Sequence, residues 1–233
     1  MNDTERLERW NFFHAIALLA AGVAAFAADR TLVTALVAAV SFVVLVVACR
    51  DSWTPTGRFG PANGLTTLRL VISLAAAVSA DFLAPHPVYV LVWLAVFALD
   101  GLDGYIARGH GETSLFGEYF DKESDALFVL LLGFSLYVQG LLGPWVLIAG
   151  TMRYVFVLAM HFAPVEGPQR EYKSSWARYI YTGCILSFIA VYVLPPLPAK
   201  VLALAGTVAL VYSFLRYFHW LYADRSVHGA SVR

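Results

Sequence analysis

Between Asp100 and Asp125 the chain reads DGLDGYIARGHGETSLFGEYFDKESD, with seven acidic residues directly after the uncharged run PVYVLVWLAVFAL. In water such a stretch would be a solvated loop. Inside a bilayer carboxylates are costly, and they are kept where they bind or react. Read as helix, Asp100, Asp103, Gly104, Ala107 and Arg108 form one continuous stripe, and Gly117, Asp121 and Asp125 form another. Gly109 and Gly111 mark a short turn between them, so the two helices are expected to be antiparallel neighbours with the stripes facing. Four carboxylates would then converge. Glu112, Glu118 and Glu123 fall off the stripes and read as solvated loop or rim residues.

Converging carboxylates repel, and without partners some would take up protons. Divalent cations remove that penalty, and an all-oxygen donor set suits Mg²⁺ or Mn²⁺. Mg²⁺ is usually completed by phosphate oxygens, so the cluster points to a phosphorylated substrate. Gly104, Ala107 and Gly117 lie on the same faces, where a missing side chain leaves room for a ligand beside the backbone. Close helix packing is the other reading of small residues.

The elements that must hold these stripes are membrane helices. The chain has 233 residues, 60% hydrophobic and 14% charged, where soluble domains average about 25% charged. A spanning helix needs about 20 mostly apolar residues. Eight segments are expected to be helices of this kind, at 10–28, 31–49, 65–83, 87–107, 114–138, 144–162, 176–194 and 199–222. TPTGRFGPANG, APHP, GLLGP and PPLP punctuate the breaks. The fold class is therefore an all-α polytopic transmembrane bundle. With the Arg108–Ser114 turn on the cytoplasmic side, nearly all lysines and arginines fall on that side and only Arg30 and Lys200 on the other, a strong positive-inside bias. The first segment also fits a signal peptide with an Ala-x-Ala site ending at Ala27.

The net charge of zero and the absence of a basic, aromatic-interleaved patch give no indication of nucleic-acid binding. Cys49 and Cys184 are far apart, without a Cys/His cluster, and read as buried hydrophobes. The six histidines show no ligand spacing and read as surface or interfacial. Trp10, Trp93, Trp145, Trp176 and Trp220 lie toward segment ends and read as interfacial anchors.

The acidic stripes spell D-x2-D-G-x2-A-R-x8-G-x3-D-x3-D, which resembles the signature of the CDP-alcohol phosphotransferase family at every fixed position and spacing. Asn63, Thr66 and Arg69, in PANGLTTLR, resemble the family's entry to its first core helix; a helix-cap region with a snorkelling arginine is the alternative. The resemblance implies a six-helix core over 63–223, preceded by two additional helices and a linker over 1–62 and followed by a polar tail over 224–233. It implies an integral-membrane enzyme, expected in a bacterial inner membrane with its site toward the cytoplasm, and a homodimer. The family moves a substituted phosphoryl group from a CDP-linked donor such as CDP-diacylglycerol to an alcohol and releases CMP. Carried over by position, Asp100, Asp103, Asp121 and Asp125 would hold two Mg²⁺ or Mn²⁺ ions. Asp125 would be the general base. Asn63, Thr66, Arg69, Gly104, Ala107, Arg108 and Gly117 would hold the CDP moiety.

The acceptor is read from cations outside the signature. Arg153 lies deep in the sixth segment, and Lys173 and Arg178 lie at the mouth of the seventh. If they converge with Arg108 they suit a phosphorylated acceptor such as glycerol 3-phosphate. Alternatively, Lys173 and Arg178 are topological and Arg153 pairs with a buried acid. A cation-coupled transporter is the rival from another class, since intramembrane carboxylates also line ion paths. A prenyltransferase-type enzyme is a second rival, but its acidic motifs come as two separate pairs.

Overall fold

The structure is a computed structural model that describes residues 2–110, 113–163 and 175–228, without the side chains of 102–110, 175 and 222–228. Among the described residues there are eight α-helices and no strand. They are α1 (Asp3–Ala28), α2 (Leu32–Ala48), α3 (Gly60–Ala80), α4 (Val88–His110), α5 (Leu115–Val138), α6 (Leu147–Phe162), α7 (Ser175–Ala190) and α8 (Pro196–His228). Each lies where an apolar segment was expected. The helices at 3–28, 60–80 and 196–221, and the stretch 144–162 made of a short 3₁₀ turn and α6, are long and apolar enough to cross a membrane. Of the other four, α4 with 23 residues and α5 with 24 have the expected spanning length, α5 carrying its acids within its first eleven residues. Among the described residues α2 has 17 residues and α7 has 16.

The bundle is built around α5, which touches α1, α2, α3, α6 and α7. From Ala126 to Leu136 every residue of α5 is buried. That stretch holds no charge, and a helix apolar on all sides belongs inside a bundle. Trp93 packs against it, with ring centroids of Trp93 and Phe128 5.7 Å apart. Trp93 is fully buried, which corrects its reading as an interfacial anchor. Its neighbours on α5 enclose the indole before it reaches a membrane surface. The α5–α6 contact is very close: a Cβ on Gly150 would lie 2.4 Å from the Leu130 Cα. Without water to drive association, small residues let backbones approach and pack.

The first two helices form a hairpin against this core, with α1 on α6 and α2 on α3 and α5. One end of the hairpin is fastened by Asp81 at the end of α3. Its carboxylate accepts from the backbone N–H of Thr31 at 2.7 Å and of Leu32 at 3.0 Å. The first orphan donors of α2 are thus capped by a residue from another helix. Arg30 donates to the Asp81 carbonyl at 2.7 Å, and Thr31 Oγ1 to the Ala77 carbonyl at 2.8 Å.

Candidate active site

Three helices bring the site together. Arg69 lies on α3, Asp100 on α4, and Asp121 and Asp125 on α5. The two α5 aspartates are four residues apart and share a face. One carboxylate oxygen from each of Asp100, Asp121 and Asp125 lies within 4.8 Å of the others. Three of the four aspartates in the acidic stripes therefore converge as their spacing implied. Asp103 lies on the same helix as Asp100, but its side chain is outside the described residues, as are those of Gly104, Ala107 and Arg108.

Arg69 sits in the middle of the group. Its guanidinium is bonded to Asp100 and, through Nη2, lies 2.8 Å from Oδ1 of both Asp121 and Asp125. The arginine side chain is 2% exposed, whereas the three aspartates are 28–41% exposed. The cation is thus the floor and the carboxylates face an opening. Sequence spacing placed Arg69 with Asn63 and Thr66 but gave no sign that it would reach across to α4 and α5.

Three carboxylic acids share one guanidinium, and such an excess of acids in a low-dielectric setting is relieved either by taking up protons or by a further cation. The donor set is hard oxygen throughout and half-open, which fits Mg²⁺ or Mn²⁺ and not a thiolate-seeking metal. The Asp100, Asp121 and Asp125 group can hold a metal ion.

Around this group the start of α3 meets the start of α5. Asn63 is buried, donates through Nδ2 to the Phe59 carbonyl at 2.6 Å and the Trp53 carbonyl at 3.3 Å, and lies against Gly117. A Cβ on Gly117 would lie 3.3 Å from Asn63 Oδ1 and from Ser114 Oγ. Close packing thus explains the lack of a side chain at Gly117 here. Thr66 is buried and donates to the Ala62 carbonyl at 3.2 Å. Ser114 caps α5 by accepting from the Gly117 N–H at 3.0 Å, and its own hydroxyl donates to the Trp53 carbonyl at 2.7 Å. Tyr181 of α7 donates to the backbone carbonyl of Asp125 at 3.1 Å. Sequence reasoning missed Ser114 and Tyr181. A serine just before a periodic run is an N-cap signal and could have flagged the first; nothing in the sequence marks the second.

Of the expected acceptor cations, Arg153 and Arg178 have described side chains. Arg153 donates through Nε at 3.0 Å and Nη2 at 2.5 Å to Glu123 Oε1. Glu123 is 0% exposed, which corrects its reading as a solvated rim residue. An acid buried in hydrocarbon persists because a cation from another helix meets it. Of the two readings of Arg153, pairing with a buried acid is the one the structure displays. Arg178 is exposed near the start of α7, and Lys173 lies outside the described residues. Glu118 is exposed as expected and pairs with Lys122 at 2.5 Å, while Glu112 is outside the described residues.

The fold and site together are those of an all-α bundle with four helices long and apolar enough to cross a membrane, in which aspartates from α4 and α5 form one half-open group that could hold a metal ion. The model of the CDP-alcohol phosphatidyltransferase family matches residues 59–215, more than half of the chain, and the protein belongs to that family. The match begins in the linker before α3, leaving α1 and α2 outside it. No curated protein and no solved structure gives a significant match. Membership makes the chain a transferase and implies phosphatidyl transfer from CDP-diacylglycerol.

Proposed function

We propose that this protein transfers a phosphatidyl group from CDP-diacylglycerol to a small polar alcohol, with glycerol 3-phosphate as the favoured acceptor, and releases CMP. The observation that carries the reading is the convergence of Asp100, Asp121 and Asp125 around the buried Arg69. In this reading Asp100, Asp103, Asp121 and Asp125 hold two divalent ions, Mg²⁺ or Mn²⁺, which supply charge neutralisation at the diphosphate. Asn63, Thr66, Arg69, Gly104, Ala107, Arg108 and Gly117 hold the cytidine and its phosphates. Arg69 keeps the three carboxylates together before substrate arrives.

The acceptor hydroxyl approaches the phosphorus of the phosphatidyl group in line with the bond to CMP. Asp125 takes the hydroxyl proton as the new O–P bond forms, and the P–O bond to CMP breaks. A carboxylate is a weak base, but it needs only to accept the proton as attack proceeds. The protein's main contribution is position and charge. Lys173, two residues before α7 in the sequence, and Arg178 within it would favour a phosphorylated acceptor by their charge. The orientation toward the cytoplasm follows from the positive-inside bias, and a homodimer is expected from the family.

The test is an acceptor screen with purified protein, labelled CDP-diacylglycerol and Mg²⁺ or Mn²⁺. Metal-dependent CMP release with glycerol 3-phosphate is expected. Release only with serine, an inositol phosphate or another alcohol would overturn the acceptor. No release with any alcohol would overturn the phosphatidyl-transfer reading and leave the transporter.

A further inference from the structure

Glu123 lies two residues from both Asp121 and Asp125, so it projects from α5 roughly 200° around the helix from Asp121. It points away from the carboxylate group and toward α6, where Arg153 meets it with two donors on a single oxygen. The N-terminal hairpin packs beside this pair, with α1 on α6, while the Arg153 side chain stays 27% exposed. His14 of α1 is 1% exposed, bonded to Ser41 Oγ at 2.7 Å, stacked on Trp10, and its ring lies 5.9 Å from that of the buried Tyr154. This corrects the reading of His14 as surface or interfacial. Phe12 stacks on His161 about two turns nearer the end of α6, with centroids 3.9 Å apart. Neither α1 nor α2 lies within the family match.

A second fastening holds the start of the same helix. Ser114, the cap of α5, donates to the carbonyl of Trp53, which belongs to the linker after α2. The Trp53 carbonyl also receives Asn63 of α3. The helix that carries Asp121 and Asp125 is thus gripped at its cap by the linker, and more than two turns further on by Arg153 of α6. Rotation or sliding of α5 would have to break a buried ion pair on one face to move the carboxylates on the other.

We propose that Glu123 and Arg153 are positioning residues: their ion pair, made between α5 and α6 where α6 is backed by α1, sets the rotation of α5 and so the spacing of Asp121 and Asp125 from Asp100. The additional N-terminal hairpin is then part of the working core and not an appended anchor. The proposal rests on the metal-dependent transferase reading for its kinetic consequences. It gives Arg153 a role distinct from acceptor binding, since both of its bonded donors are committed on the face of α5 opposite the carboxylates.

The test uses the full-length protein in detergent or nanodiscs and four forms: wild type, Glu123→Gln, Arg153→Met and the double variant. Mn²⁺ binding is read directly by electron paramagnetic resonance, and kcat and both KM values by CMP release. Each single variant is expected to weaken Mn²⁺ binding and lower kcat by roughly 10–100-fold, the scale seen when support for a metal ligand is lost. The acceptor KM should stay within about threefold of wild type, as a positioning role leaves ground-state binding intact. The double variant should match the worse single one, because both act through one contact. An acceptor KM raised by Arg153→Met but not by Glu123→Gln would make Arg153 an acceptor ligand. Unchanged Mn²⁺ binding, or multiplicative losses in the double variant, would reduce the pair to packing. Should Arg153→Met fail to insert, Arg153→Lys and Glu123→Asp give the same readouts. The Mn²⁺ titration needs no substrate, so it tests the proposal even if wild-type turnover fails and the transferase reading with it.

Discussion

The two faces of α5 handle buried charge in opposite ways. On one, Asp121 and Asp125 share a single arginine with Asp100 and stay 28–41% exposed. On the other, Glu123 has an arginine to itself and is fully enclosed. On the second face one cation meets one acid, so the charges cancel, although both donors of Arg153 go to Oε1. The first has three acids to one cation beside an opening, and that is the condition under which a divalent ion and a diphosphate can be drawn in. Burial of a charge therefore does not mark function by itself. The imbalance does.

The comparison can be broken from either side. The largest effect is expected on the open face. Asp125→Asn should lower CMP release by about 10²–10⁴-fold, the range for loss of a general base, while the protein still inserts; near-normal turnover would remove Asp125 as the base. Arg69→Met removes the shared cation and leaves three carboxylates unbalanced. A loss of about 3–5 kcal/mol is typical of breaking a buried ion pair, so poor yield or a much lower thermal midpoint in detergent is expected, and raised Mn²⁺ should recover part of it. Behind the closed face, Gly150→Ala drives a Cβ into the Leu130 backbone. It should cost about 1–3 kcal/mol of stability by overpacking, seen as a lower midpoint. Farther from both faces, Asp81→Ala uncaps α2 and should cost about 1 kcal/mol with kcat unchanged. Smallest of all, Lys122→Met breaks an exposed pair with Glu118 and should shift stability by less than about 1 kcal/mol.

Much of this was legible beforehand, and the misses share a cause. The eight helices could be read because hydrocarbon demands long apolar runs and Pro and Gly mark their ends. Their starts were less legible. α1 begins at Asp3 and α3 at Gly60, ahead of the apolar windows, because hydropathy records the part in lipid and a helix continues through polar turns. The convergence of Asp100, Asp121 and Asp125 followed from helical period together with the short turn expected between the two segments. Glu123, His14 and Trp93 were misplaced because their burial is decided by partners from other helices: Arg153 for the acid, Ser41 for the imidazole, Phe128 for the indole. Arg69 shows the same limit. Its own turn of α3 says nothing of the carboxylates that three-helix packing brings to it.

A direct Mn²⁺-binding titration of purified wild type beside Asp121→Asn tests the central claim without any assumption about substrate. Saturable binding by wild type, weakened by about tenfold or more in the variant, is the predicted result. Equal binding by the two proteins, or none by wild type, would contradict a shared ion site between α4 and α5.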